Sequence, residues 1–166
     1  RPFELRISDG MGGERIAYAR AVIDASGTWQ NPNPLGGAGL PARGEGNVRE
    51  KLAYGMPDVL GGERARYAGR RVAVVGAGYS AINVLLDLTR LRQESGKGSL
   101  VWVVRGRNLA RIYGGGDADE LAARGKLGQH LKSLVETGQV RLVAGFSTGS
   151  IPEATRGLGL RGDPEE

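Results

Sequence analysis

The segment that most narrows the fold is a short apolar run that breaks into glycines and restarts with a different period. Arg70-Arg71-Val72-Ala73-Val74-Val75 is a continuous apolar stretch bounded by basic residues, the pattern of a strand buried on both faces of a parallel sheet. Gly76-Ala77-Gly78-Tyr79-Ser80-Ala81 follows at once, a G-x-G-x-x-A turn. Ala81, Val84, Leu85 and Leu88 then recur at i, i+3, i+4 and i+7, one face of a helix laid on a sheet. Gly76 permits the tight strand-to-helix turn, Gly78 lets a pyrophosphate approach the backbone, and Ala81 lets the helix lie close to the strand. The helix N-terminus adds free N–H groups and a partial positive charge, and Ser80 a hydroxyl donor. With 29 glycines in 166 residues, an ordinary glycine turn is the bland alternative. The strand before it and the helix after it favour a dinucleotide site built from Gly76, Ala77, Gly78, Tyr79, Ser80 and Ala81.

The next strand is expected at Leu100–Val104, after the polar turn Gln93–Ser99. In sites that prefer NAD, a carboxylate at the end of this strand accepts from the ribose 2′-hydroxyl. Here the position carries Arg105, followed by Gly106 and Arg107. A guanidinium suits a 2′-phosphate through two parallel charge-assisted bonds, so NADP(H) is favoured over NAD(H). Arg105 lies 29 positions after Gly76, later than the usual spacing of about 20. Glu94 is nearer that spacing, but Gly96 and Gly98 place it in the loop before the strand, on the wrong edge of the sheet. The competing reading makes Arg105 and Arg107 solvated surface residues.

Downstream, Ile112–Asp117 reads as a flexible loop, and Leu127, Leu131, Leu134 and Val135 mark a helix face closed by Gly138. Gln139–Ala144 is a third apolar strand. The sum is an α/β fold, a Rossmann-like βαβαβ parallel sheet with helices on both faces. His130, beside that apolar face, is expected to be structural or surface-exposed rather than catalytic. The tail from Ile151 is Gly- and Arg-rich, with Gly157–Arg161 open to a further strand.

Upstream, Phe3–Ile7 and Arg15–Asp24 read as a hairpin joined by Ser8-Asp9-Gly10-Met11-Gly12-Gly13. An isolated hairpin is not stable alone, and the first residue is Arg, so the expectation is a fragment whose partner strands lie upstream. Prolines at 32, 34 and 41 with nearby glycines exclude regular structure, save a short helix near Asn47–Tyr54. So long a connection suits a crossover between domains. The expected organisation is therefore 1–29 as a domain remnant, 30–69 as a linker and 70–166 as the nucleotide domain.

The absence of cysteine excludes structural disulfides, thiolate zinc sites and dithiol chemistry within this chain. One histidine leaves no His-based metal cluster, and no metal is expected. No apolar run approaches the roughly 20 residues of a membrane span, and no signal-peptide pattern opens the chain, so a soluble cytoplasmic protein is expected. The net charge of +5 raises nucleic-acid binding. Arginines are interleaved with acids instead of forming a patch with aromatics, so no nucleic-acid partner is expected.

Asp24-Ala25-Ser26-Gly27-Thr28-Trp29, the Pro-rich crossover, the Arg71–Ala81 unit and Arg105 together resemble the flavin-containing monooxygenase-like and FAD-dependent pyridine nucleotide oxidoreductase group, over roughly residues 3–150. The resemblance implies that Gly27 and Thr28 belong to the segment linking an FAD domain to an inserted NADPH domain. It also implies NADPH and FAD as cofactors, with NADPH reducing FAD, and an FAD-binding domain of the same protein as the missing partner. The group's first glycine fingerprint is absent, as expected if it lies upstream. The monooxygenase signature has no counterpart histidine in Ala53–Gly61, which puts oxygen insertion in doubt, and thioredoxin-reductase-like chemistry lacks its cysteines. Two other classes stay open: a non-catalytic NAD(P)-sensing Rossmann module and a basic module for anionic partners.

Overall fold

The computed structural model describes residues 2–23, 31–37, 39–113, 122–154 and 157–164. The chain divides into two compact units, Arg1–Asn31 and Pro32–Glu166.

The first unit is the expected hairpin. Strands β1 (Phe3–Ser8) and β2 (Glu14–Ala19) pair antiparallel, with Leu5 opposite Ala17. Asp9 closes the turn: its carboxylate accepts from the amides of Met11 (2.8 Å) and Gly13 (3.0 Å). Those bonds hold its carboxyl below the usual carboxylate range. The second strand stops at Ala19, earlier than the apolar pattern implied, and Val22 and Ile23 are exposed. Two strands cannot cover both of their own faces. Phe3, Ile16 and Tyr18 are accordingly exposed as well.

In the second unit, β3 (Arg71–Val75), β4 (Ser99–Val103) and β5 (Arg141–Val143) form a parallel sheet in that order, with Val75 beside Val103 and Val103 beside Val143. The connections carry helix α2 (Tyr79–Ser95) and helices α3 (Ala110–Tyr113) and α4 (Ala122–Glu136). The fold is thus the expected mixed α/β arrangement with a parallel sheet. Ile82, Leu85, Leu88 and Leu91 of α2 are buried against Leu100, Trp102 and Val104, with Leu131 and Leu134 of α4 in the same core. Each such side chain contributes roughly 1.5–3 kcal/mol of burial. The opposite face of β3 is more open than its apolar run implied: Val72 and Val74 pack against the core that α2 and α4 share, while Arg71 and Ala73, on the other face, are exposed.

Helix α2 ends where Gly96 takes a left-handed conformation (φ 66°) and donates to Arg92 O. Gly138 closes α4 in the same way (φ 70°), as its position predicted. Gly128 lies where α4 meets α3, and a Cβ there would fall 2.0 Å from the Tyr113 carbonyl oxygen. His130 is exposed.

The tail folds back on itself. Strand β6 (Phe146–Ser150) pairs antiparallel with β9 (Arg161–Pro164), and β7 (Glu153–Ala154) with β8 (Gly157–Leu158) lies between them. The sequence left 157–161 open to a strand, where β8 and the start of β9 fall, and gave no sign of β6.

The crossover also has structure. It contains a 3-10 helix, Gly46–Lys51, and the single turn α1 (Arg64–Tyr67). Ala42, Val48 and Ile151 form a small core of their own, packed by Leu35, Leu52 and Leu160. At its centre the buried Glu45 carboxylate accepts from the amides of Leu35 and Ala42 and from the Tyr54 hydroxyl. Backbone bonds from Gly37 N to Thr148 O, Arg43 N to Gly149 O and Ile151 N to Arg43 O seat the loop along β6.

Candidate functional site

All three parallel strands end on one edge of the sheet, and β3 gives way there to the glycine turn. Crevices outside the carboxyl ends of parallel strands are where α/β sheets bind ligands. Gly76 still belongs to the ladder through its N–H, which donates to Val103 O (3.0 Å). Its φ of 132° is a conformation that L side chains rarely adopt, so the turn requires glycine here. A Cβ at Gly76 would lie 3.9 Å from the Ala81 Cβ, so a small residue at 81 suits the close approach.

Gly78 differs from Gly76. It is the N-cap of α2 with ordinary extended backbone (φ −85°, ψ 170°), and a Cβ there would meet nothing within 4 Å. Neither backbone strain nor packing within the described residues demands glycine at this position. The position is exposed, with room for a phosphate group to approach the backbone. Its carbonyl starts the helix by accepting from Ala81 N and Ile82 N, while no side chain caps the N-terminus. Ala77, Gly78, Tyr79 and Ser80 are all exposed. The residues present therefore fit a dinucleotide phosphate: a turn only glycine can make, room over Gly78, and an uncapped 17-residue helix.

A residue that sequence reasoning placed only as a strand position holds this turn. Trp102 is fully buried, and its indole N–H donates to the Gly76 carbonyl at 2.8 Å. Its ring packs edge-on against Tyr113, centroids 6.1 Å apart. Burial, with Glu136 adding to it, pushes the Tyr113 hydroxyl above its ordinary pKa. The available signal was an indole donor one strand over from the glycine turn, and apolar periodicity does not register donors.

Arg105 and Arg107 follow β4 on an exposed loop at the same edge of the sheet. They diverge. The Arg105 Nη1 group donates to the carbonyl of Gly37 in the crossover. The Arg107 side chain lies over the turn between β5 and β6, where a Cβ on Gly145 would come 2.8 Å from its Nε. Both side chains are exposed; that of Arg105 is anchored at Gly37, and that of Arg107 lies beside Gly145. Glu94 sits in the last turn of α2 and not in the loop its flanking glycines implied, paired with Arg64 (2.8 Å) and Arg90 (3.2 Å), away from the glycine turn. Gly27 and Thr28 lie outside the described residues. No group of three or more metal-binding side chains occurs among the described residues, and no helix there is long and apolar enough to cross a membrane.

Two solved structures share this architecture. The bacillithiol disulfide reductase of Bacillus cereus aligns over 99% of this chain and 44% of its own, with a TM-score of 0.61 and 17% identity. The FAD-bound cadaverine monooxygenase of desferrioxamine biosynthesis from Erwinia amylovora aligns over 96% of this chain and 43% of its own, with a TM-score of 0.61 and 16% identity. The chain thus has the fold of a segment of a disulfide reductase and of an FAD-bound monooxygenase. That fold agrees with the group that the sequence resembles, and the chain spans less than half the length of either structure. No family model and no curated protein matches the sequence.

Proposed function

We propose that this chain is the NADPH-binding portion of a flavin-dependent oxidoreductase. The reading is carried by the Gly76–Ala81 turn at the carboxyl end of a parallel strand: a glycine required at 76, room over Gly78 and a helix N-terminus with no side-chain cap. The shared fold with an FAD-bound monooxygenase and a disulfide reductase supports the flavin partner. In this reading the first unit, with residues up to about 29, belongs to an FAD-binding domain, residues 30–69 are the crossover, and 70–166 hold the nucleotide. The exposed Phe3, Ile16 and Tyr18 of the hairpin suit a surface that further strands cover.

NADPH, when bound, supplies a hydride for the flavin. The chain's own contribution is binding and orientation. The amides at the start of α2 and the Ser80 hydroxyl would hold the pyrophosphate at the turn that Gly76 sets, and Arg105 and Arg107 would supply positive charge for the 2′-phosphate. Gly27 and Thr28 would belong to the segment that joins the nucleotide domain to the flavin domain.

Calorimetric titration with NADP⁺ and NAD⁺ tests the reading. NADP⁺ is expected to bind more tightly, Gly78→Trp to abolish binding of both, and Arg105→Ala to weaken NADP⁺ alone. Binding that survives Gly78→Trp would remove the assignment of the glycine turn.

A further inference from the structure

Arg105 is exposed, yet its guanidinium is not left to wander: Nη1 donates to the Gly37 carbonyl, 68 residues away in sequence. That carbonyl is itself fixed. The Gly37 N–H donates to Thr148 O at 3.1 Å, and the bonds of Arg43 to Gly149 and of Ile151 to Arg43 (3.0 and 2.8 Å) continue the seam along β6. Space at Gly37 is already taken, because a Cβ there would fall 1.8 Å from the Ser147 hydroxyl oxygen. Three segments therefore meet at one glycine: the crossover, β6 and the loop after β4.

We propose that Gly37 is a specificity-determining position, its carbonyl holding the Arg105 guanidinium ready for the 2′-phosphate of NADP(H), a step that rests on the dinucleotide reading above. The guanidinium is a planar fork with several donors. One donor on a carbonyl leaves the others for phosphate oxygens. A long side chain held before binding loses less rotamer freedom on binding. An ammonium, a single point charge, does not offer the same fixed division of donors. The carbonyl has no such role toward NAD(H), which lacks the phosphate. By linkage, phosphate binding must strengthen the tether as much as the tether strengthens phosphate binding.

The test uses the full chain, titrated with NADP⁺ and with NAD⁺. Gly37→Ala brings a methyl group against the Ser147 hydroxyl and its Cβ; turning the hydroxyl relieves only the first contact, so the Gly37 main chain and its carbonyl must shift. NADP⁺ affinity is expected to fall several-fold, towards about tenfold, the net scale of one ordinary intramolecular hydrogen bond. NAD⁺ affinity is expected to hold. On an Arg105→Ala background the same substitution should change nothing further, since the two act through one interaction. Equal weakening of both nucleotides, or unchanged NADP⁺ binding, overturns the proposal while leaving the dinucleotide site intact. A wild-type chain that binds both nucleotides equally removes the role of Arg105 and this proposal with it. A chain that binds neither overturns the dinucleotide reading as well. Should Gly37→Ala fail to fold, hydrogen exchange on the wild type decides. Saturating NADP⁺, and not NAD⁺, should slow exchange at the Gly37 and Arg43 amides, and equal protection by the two, or none, refutes the tether.

Discussion

Trp102→Phe isolates the bond that fixes the glycine turn. The substitution keeps an aromatic ring in the core beside Tyr113 but removes the N–H that reaches Gly76 O at 2.8 Å. Leaving that carbonyl without its donor costs about 1–3 kcal/mol. The smaller ring also leaves a void. At about 24 cal/mol per Å³, a gap of one water volume (~30 Å³) adds roughly 0.7 kcal/mol. The expected loss is about 2–4 kcal/mol, a large share of the 5–15 kcal/mol typical of a domain. Urea denaturation followed by far-ultraviolet circular dichroism measures it. Fluorescence does not serve, because the substitution removes one of only two tryptophans. The same variant should weaken NADP⁺ and NAD⁺ by a common factor, since the turn serves the shared pyrophosphate. Leu85→Ala is the control: it removes a fully buried side chain from α2 at a cost of about 2–5 kcal/mol without touching the turn. It should spare nucleotide affinity while the chain remains folded. A loss below about 0.5 kcal/mol for Trp102→Phe, the scale of an ordinary surface change, would refute the argument that the indole fixes the turn.

Gly128→Ala should destabilise by about 1–3 kcal/mol, because its methyl group meets the Tyr113 carbonyl at the α3–α4 contact; an unchanged thermal midpoint would refute that close approach. The crossover should respond to pH from both sides. Burial opposes the charge on Glu45, but the Tyr54 hydroxyl, the Leu35 and Ala42 amides and nearby Arg49 outweigh it and hold its pKa below 4.5. Its stabilisation is present above that value and lost as pH falls through the lower folded one. Tyr54 is pushed up to about 12 from 10.0, first by burial and then by Glu45. Its contribution is present below pH 10 and lost as pH rises through about 12. Melting temperature against pH should show both limbs, and Glu45→Gln with Tyr54→Phe should flatten them. Glu94→Gln should leave both nucleotide affinities unchanged, since its partners are Arg64 and Arg90; a shift in the NADP⁺ to NAD⁺ ratio would return Glu94 to the site.

The unit from Arg71 to Ser95 was legible because its information is local. A β-branched run, two glycines and a 3.6-residue period each carry their own meaning, and they agree. Arg105 was legible as a charge at a strand end, though not its destination, which is set by a carbonyl far away in sequence. The crossover was opaque for the same reason. Prolines and glycines correctly excluded long elements, but what holds it is one carboxylate, that of Glu45, which receives Leu35, Ala42 and Tyr54. Strand β6 escaped notice because Phe146-Ser147-Thr148-Gly149-Ser150 lacks an apolar alternation and gains its conformation from pairing with Arg161–Pro164. The openness of one face of β3 was hidden too, since a run of valines does not say whether one face or both are covered.

The seam between the crossover and β6 also bears on how this region can drift. It is made from main-chain atoms, with Gly37, Arg43 and Ile151 donating through their amides. Main-chain bonds are indifferent to the side chains they carry. Leu40 and Pro41, both exposed, stand on a path that many other residues could follow without loss. Neutral change should therefore accumulate at such positions, while Gly37 and Glu45 tolerate little. The crossover would keep its course long after its residues had ceased to be alignable.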